Sequence, residues 1–181
     1  METKTIQLTY GFPGRVTEYE IIHNALDYIT AEIQQRAWTN RPQYDEDAGT
    51  FVDMNTYNPL DYFNQFVCLD FAAKISERMN ATNEEADFLH HNNKEDGCIS
   101  DVTIEREFVF LELAAIVQAI FYYLDNIEKD YKKKATDLYD SDNHYTGNPL
   151  QHFLDAATEQ AREDTKKYRK LAMKLGKISR S

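Results

Sequence analysis

The spacing of apolar side chains predicts a strand followed by a helix at the start of the chain. Apolar and polar residues alternate over residues 3–10, and Ile6, Leu8 and Tyr10 share one face, which is typical of a half-buried strand. From residue 16 onward, apolar residues recur every three or four positions to about Trp38. This spacing is that of an amphipathic helix packed on a core.

Helical spacing returns in the middle of the chain. Pro59 follows the capping residue Asn58 and predicts the start of a core helix that extends to Met79. Thr82 with Glu85 three residues later is a capping-box pattern, and it predicts a shorter helix to about His91.

The longest periodic segment runs from Asp101 to Tyr131 and predicts one continuous helix. Its middle, Leu113–Leu124, carries no charge, so we expect it to be a central helix covered on most sides. The polar stretch 137–147 is expected to end the helical pattern. A last helix should begin at Pro149 and end near Gly176, a residue type common just after a helix C-terminus.

The predicted fold is therefore a mainly α, single-domain bundle of four to five helices with a short N-terminal two-stranded β ribbon. The second strand of that ribbon is expected at Thr50–Met54, beside residues 4–9. The single domain, 1–181, would contain the ribbon, the first helix and an acidic loop in 1–57. Core helices would fill 58–138, and a basic C-terminal helix would occupy 148–176.

Composition narrows the class of protein. The chain has 181 residues, of which 42% are hydrophobic, which is enough for one sizeable core. Its longest uncharged run has 12 residues, shorter than a membrane span, and the N-terminus leads into no hydrophobic run typical of a secretory signal. The two cysteines, Cys68 and Cys98, are far apart in sequence, which favours a reducing compartment. We therefore expect a cytoplasmic protein without a membrane partner.

The net charge of −11 is unevenly distributed. Residues 1–145 carry 27 acids and 12 bases, whereas residues 146–181 carry 4 acids and 8 bases. The acidic body should repel nucleic acid directly, and it should attract a basic protein surface. The basic C-terminal helix is expected to pair with the acidic body of the same chain or of a second chain, so a homodimer is possible.

No residue pattern predicts a catalytic, metal or cofactor site. The polar cluster Asp87, His90, His91, Asp96 and Cys98 contains metal-ligand types but lacks the paired spacing of a closed zinc site. Glu20 and His23 form a Glu-x-x-His without the second copy that di-iron bundles require. Cys68, within an apolar run, is expected to be a packed core residue. We expect no cofactor.

One half-motif leaves an enzyme alternative open. Glu84-Glu-Ala-Asp87 resembles one of the two acidic pairs with which helical nucleotide pyrophosphatases hold magnesium, but no matching pair lies upstream. The alternative function is thus a magnesium-dependent helical nucleotide hydrolase. A structural or regulatory helical subunit is a further alternative.

The favoured hypothesis is a non-enzymatic inhibitor that binds a nucleic-acid enzyme and occludes its basic groove as a DNA mimic. In size and charge the chain is similar in character to the small acidic anti-CRISPR and anti-restriction proteins of phages, which would place it in the host cytoplasm; no motif carries this analogy. Tyr139 and Tyr145 are the predicted aromatic anchors. The predicted acidic contacts lie in loops and near helix ends: Asp45, Glu46, Asp47, Glu84, Glu85, Asp87, Glu95, Asp96, Asp137, Asp140 and Asp142.

Overall fold

A computed structural model describes residues 3–11, 16–39, 43–52, 59–80, 82, 84–85, 101–146 and 149–180. Five helices and four strands lie in these ranges. In chain order they are β1 (Thr3–Tyr10), α1 (Glu18–Thr39), β2 (Gln43–Asp45), β3 (Thr50–Val52), α2 (Pro59–Met79), β4 (Val102–Val109), α3 (Phe110–Leu124), α4 (Ile127–Thr146) and α5 (Leu150–Arg180). The prediction of a mainly α fold with a short two-stranded sheet at the N-terminus is confirmed.

The partner strand of the N-terminal sheet was predicted wrongly. β1 pairs antiparallel with β4, in a register that places Thr3 opposite Val109 and Tyr10 opposite Val102. Residues 50–52 do form a strand, but it pairs with β2 across a short turn that contains Gly49 at φ 63°. A four-residue turn closes that hairpin at a small loss of chain entropy, so this segment is already paired locally.

The single helix predicted from Asp101 is also wrong, because residues 102–109 are extended. Their sequence, Val-Thr-Ile-Glu-Arg-Glu-Phe-Val, alternates with period two, and β-branched residues favour a strand. The helix α3 begins only at Phe110 and ends at Leu124. Asp125 and Asn126 then interrupt the helical hydrogen bonding, and the Asn126 side-chain amide donates to the Tyr122 carbonyl at 3.0 Å.

Two predicted helix ends lie further along the chain than expected. The polar stretch after residue 137 does not end α4, which continues to Thr146. Gly176 lies inside α5, which continues to Arg180, and a β-carbon at this glycine would meet no atom within 4 Å. Both segments are amphipathic or solvent-facing, so their polar residues are compatible with a helix that packs on one side only.

The hydrophobic core lies between the inner face of the β1–β4 sheet and helices α1, α3 and α5. The sheet contributes alternate residues, and α3 contributes a stripe that includes Leu113, Ile116 and Ile120. Among the described side chains of α2, Ile75 and Met79 are buried whereas Cys68 is exposed. The prediction that Cys68 is a core residue is therefore wrong.

Within the described ranges, no single helix is both long and apolar enough to cross a membrane. One pair of helical segments, Phe110–Leu124 with Ile127–Ser141, meets the length and composition requirement together, with a bend of 65° between them.

Candidate protein-binding surface

The outward side of the β1–β4 sheet is exposed and acidic. Because strand side chains alternate between faces, the residues opposite the core on β4 are Thr103, Glu105 and Glu107, and all three are exposed. Across the pair, Glu107 faces Thr5 and Glu105 faces Gln7, whose amide donates to the Glu105 carboxylate at 3.3 Å. We call this side, with Glu105 and Glu107, the acidic sheet face.

Neither β1 nor β4 has a lysine or arginine side chain on the same side of the sheet as Glu105 and Glu107. The strand geometry spaces the Cα atoms of Glu105 and Glu107 by about 6.8 Å, twice the rise per residue of an antiparallel strand. Lys4, the only lysine of these two strands, lies in the opposite phase and donates to the Ile178 carbonyl at 3.0 Å. Neither carboxylate is therefore paired with a basic side chain of β1 or β4.

Arg106 lies beneath this face, in the inward phase of β4, with its side chain 11% exposed. Its guanidinium donates to both oxygens of Glu85, at 2.6 and 2.9 Å, and to the Asn80 carbonyl at 3.3 Å. It also donates to the backbone carbonyl of Glu105 at 3.0 Å and lies 5.3 Å from the Tyr10 ring centre. Arg106 thus ties the segment around Glu85 to the edge of β4.

The capping box predicted at Thr82 is confirmed. The Thr82 N–H donates to Glu85 at 2.9 Å, and the Glu85 N–H donates to the Thr82 hydroxyl at 3.2 Å. Hydrogen bonds from Arg106 lower the pKa of the Glu85 carboxyl to about 2. Of the predicted contacts in this segment, Glu85 is engaged within the chain, whereas Glu84 is exposed.

We expect Glu85→Gln to destabilise the protein by about 2 kcal/mol at neutral pH, since it removes a charged acceptor from Arg106. The pKa of Glu85 is lowered in the folded state, so the pair stabilises the protein above pH 4.5 and this contribution is lost as the pH falls toward 2. Urea unfolding at several pH values should show the difference between wild type and variant shrinking on acidification. A difference that is constant with pH would contradict the assignment.

The remaining predicted contacts lie on separate elements. Glu46 and Asp47 are exposed in the turn between β2 and β3, and Asp137 and Asp140 are exposed on α4. Tyr139 packs against Phe153, with ring centres 5.5 Å apart, so part of its ring is used within the chain. The structure describes only the backbone of three further predicted contacts, namely Asp45 on β2 and Asp142 and Tyr145 on α4. The other three, Asp87, Glu95 and Asp96, lie outside the described residues.

A groove of about 460 Å³ lies between α1 and α4, and its lining includes Tyr28, Glu32 and Asp130. The carboxylate of Asp130 accepts from the Tyr123 hydroxyl at 2.6 Å and from Lys134 at 2.7 Å. The carboxylate of Glu32 accepts from the Tyr122 hydroxyl. Because each of these acids already has a structural partner, the groove presents no pair of free carboxylates for acid–base chemistry.

Within the ranges that the structure describes, no three His, Cys, Asp or Glu side chains are grouped as metal ligands would be. Thr17 caps α1, because its hydroxyl accepts from the backbone N–H of Glu20 at 3.4 Å, and His23 lies 3.2 Å from Asp27. The polar cluster of residues 87–98 falls outside those ranges.

Comparison of the chain with known protein families, with curated proteins and with solved structures finds no match.

Proposed function

We propose that this protein is a non-enzymatic binding protein that occludes the basic, nucleic-acid-binding groove of an enzyme. The observation that supports this most is the acidic sheet face, where Glu105 and Glu107 are exposed and neither β1 nor β4 carries a lysine or arginine on the same side.

The acidic sheet face is suited to such binding because its carboxylates are carried by regular structure. Pairing with β1 fixes the backbone of β4, and Arg106 anchors it from below through Glu85. A pre-ordered array loses little conformational freedom on binding, which favours affinity. Lysine and arginine side chains that neutralise phosphates in the partner would pair with these carboxylates instead.

The net charge of −11 favours a fast encounter with a basic partner. Long-range attraction of this kind is screened beyond about 10 Å at 0.1 M salt. The association rate should therefore fall steeply with added salt, while the dissociation rate should change less.

We expect Glu105→Lys/Glu107→Lys to weaken partner binding by at least about 100-fold, because each reversal replaces a desolvated ion pair by a like-charge contact. The tagged wild type is used to capture partners from a bacterial lysate, and each captured protein is assayed for nucleic-acid binding and cleavage. Affinity and inhibition are then compared between the wild type and the variant at several salt concentrations.

Glu77→Lys/Asp125→Lys is the matched control, because it reverses two exposed acids on other elements and changes the net charge equally. It should reduce the association rate modestly and leave inhibition intact.

A further variant, Asp137→Lys/Asp140→Lys, tests whether the predicted acids of α4 belong to the same contact. Inhibition that survives reversal of Glu105 and Glu107 would contradict occlusion by the acidic sheet face. Magnesium-dependent nucleotide hydrolysis without any captured partner would favour the enzyme alternative.

A further inference from the structure

The solvent side of α5 carries a continuous stripe of exposed residues. Its members are separated by four or three positions in turn, the spacing that keeps side chains on one face of a helix. All are exposed, and Met173 is 61% exposed although it is apolar. We call the following set the α5 stripe: Ala156, Glu159, Glu163, Lys166, Lys170 and Met173.

The charges of the α5 stripe are segregated in a way that is unfavourable within one chain. Glu159 and Glu163 are like-charged neighbours at a spacing of four, and so are Lys166 and Lys170. Each such pair destabilises a helix by about 0.2–0.5 kcal/mol. None of these four residues forms an ion pair with any residue in the described ranges, whereas the nearby Lys167 and Lys174 pair with Asp164 and Glu18.

The helix dipole does not account for this arrangement. Dipole interactions fall off within the first and last turn of a helix. α5 extends over Leu150–Arg180, so Glu159 and Glu163 lie more than two turns from its start, and Lys166 and Lys170 lie more than two turns from its end. Within the stripe, Glu163 and Lys166 attract each other weakly at a spacing of three, but the outer charges, Glu159 and Lys170, have no opposite charge beside them on the stripe.

We infer that the α5 stripe docks antiparallel on the α5 stripe of a second copy of this chain, about a two-fold axis between Glu163 and Lys166. In this register Glu163 of each copy faces Lys166 of the other, and Glu159 faces Lys170. The exposed Met173 faces Ala156, a small residue beside which its side chain fits. Each contact occurs twice, as an isologous interface requires.

Charge complementarity selects a second copy as the occupant of this surface. The two acids and two bases of the α5 stripe cancel, so two acidic chains can approach here without opposing carboxylates. From Ala156 to Met173 the stripe is about 26 Å long at 1.5 Å per residue, a seam of the length that two crossing helices share. A nucleic acid would meet favourable charges on only half of this length, and the acidic half would repel its phosphates.

Three charge-swapped variants test the register. The first, Glu159→Lys/Glu163→Lys, makes the stripe wholly basic, and the second, Lys166→Glu/Lys170→Glu, makes it wholly acidic. Each alone should be monomeric, because every facing pair becomes repulsive. A mixture of the two should form a heterodimer, and a chain with all four substitutions should regain the homodimer. Mass is measured by light scattering and sedimentation equilibrium over a range of protein concentrations, at about 0.05 M and about 1 M salt.

The wild type is expected to have the mass of two 21.2 kDa chains at low salt and of one chain at high salt. Glu105→Lys/Glu107→Lys is the matched control, since it reverses as many charges away from α5 and should leave the dimer intact. Far-UV circular dichroism confirms that each variant is folded. A wild type that is monomeric throughout would overturn the inference, and so would variants that do not recombine on mixing. Loss of nucleic-acid binding in the second variant, with no change in mass, would assign the basic half of the stripe to nucleic acid instead. None of these readouts depends on the proposed inhibition.

Discussion

Raising the pH above 10 is expected to unfold the protein in one cooperative transition, at about pH 11–12. Three tyrosines, Tyr10, Tyr123 and Tyr168, are buried to 97% or more. Burial raises the pKa of Tyr10 and of Tyr168 to about 12, and burial with a hydrogen bond to Asp130 raises the pKa of Tyr123 further. These phenols stay protonated in the fold at a pH at which the unfolded chain releases their protons.

The consequence for stability follows from the proton balance. Because the folded-state pKa values are raised, the contribution of these tyrosines is complete below pH 10 and is lost as the pH rises beyond it. Each buried tyrosine has removed about 1.4 kcal/mol by pH 11, so three have removed about 4 kcal/mol at that pH. This loss is comparable with the whole stability of many domains, 5–15 kcal/mol.

Tyrosinate absorbance and far-UV circular dichroism should change together in an alkaline titration. Tyr10→Phe is a useful comparison, since it removes one titrating group, and with it the hydrogen bond from the Tyr10 hydroxyl to the Met79 carbonyl at 2.8 Å. Its transition should be less steep than that of the wild type. Ionisation of all tyrosines near pH 10 with an unchanged helical spectrum would contradict the burial of these rings.

The helices were the more predictable part of this fold because their signals are local. Asn58–Pro59 and Asn148–Pro149 predicted the starts of α2, at Pro59, and of α5, at Leu150, to within one residue, and the Thr82–Glu85 box has both of its hydrogen bonds. Caps of this kind depend on residues three or four positions apart, so a single sequence contains the whole interaction.

The strand β4 was mistaken for helix because both periods fit the same residues. Ile104 and Phe108 lie four apart, which suits a helix, but Val102, Ile104 and Phe108 also share the even phase of a strand. The alternation of Val-Thr-Ile-Glu-Arg-Glu-Phe-Val was the signal that could have found it. Its partner, β1, lies about a hundred residues earlier, and pairing at that distance has no local signature.

The same error hid part of the candidate surface. The acidic contacts predicted from sequence were expected in loops or near helix ends, whereas Glu105 and Glu107 become neighbours on one exposed face only when residues 102–109 are extended. Likewise, Arg106 is placed beneath that face by the strand period, which assigns it to the inner side together with Phe108. Its ion pair with Glu85 then follows from tertiary packing, which the sequence does not show.

Glu112 marks the point at which β4 becomes α3, and Glu112→Ala is expected to destabilise the protein by about 3 kcal/mol. The strand runs into the helix without a loop, and the Glu112 carboxylate, 4% exposed as a residue, accepts from the Val109 N–H at 2.9 Å. Arg78 donates to the same carboxylate at 3.0 Å. Alanine would leave the N–H at the helix start and the guanidinium without this acceptor.

The loss should lower the melting temperature by about 9 °C, at roughly 3 °C per kcal/mol for a chain of this size. Glu112→Gln is the matched control: its amide oxygen can still accept from the Val109 N–H, but the charge that attracts Arg78 is gone, so about 1 kcal/mol should be lost. If alanine and glutamine were equally destabilising, the charge at residue 112 would carry the whole effect, and the cap of α3 would contribute nothing. A melting temperature unchanged in both variants would mean that the strand-to-helix junction is fixed by core packing of Leu113 and Phe108 alone.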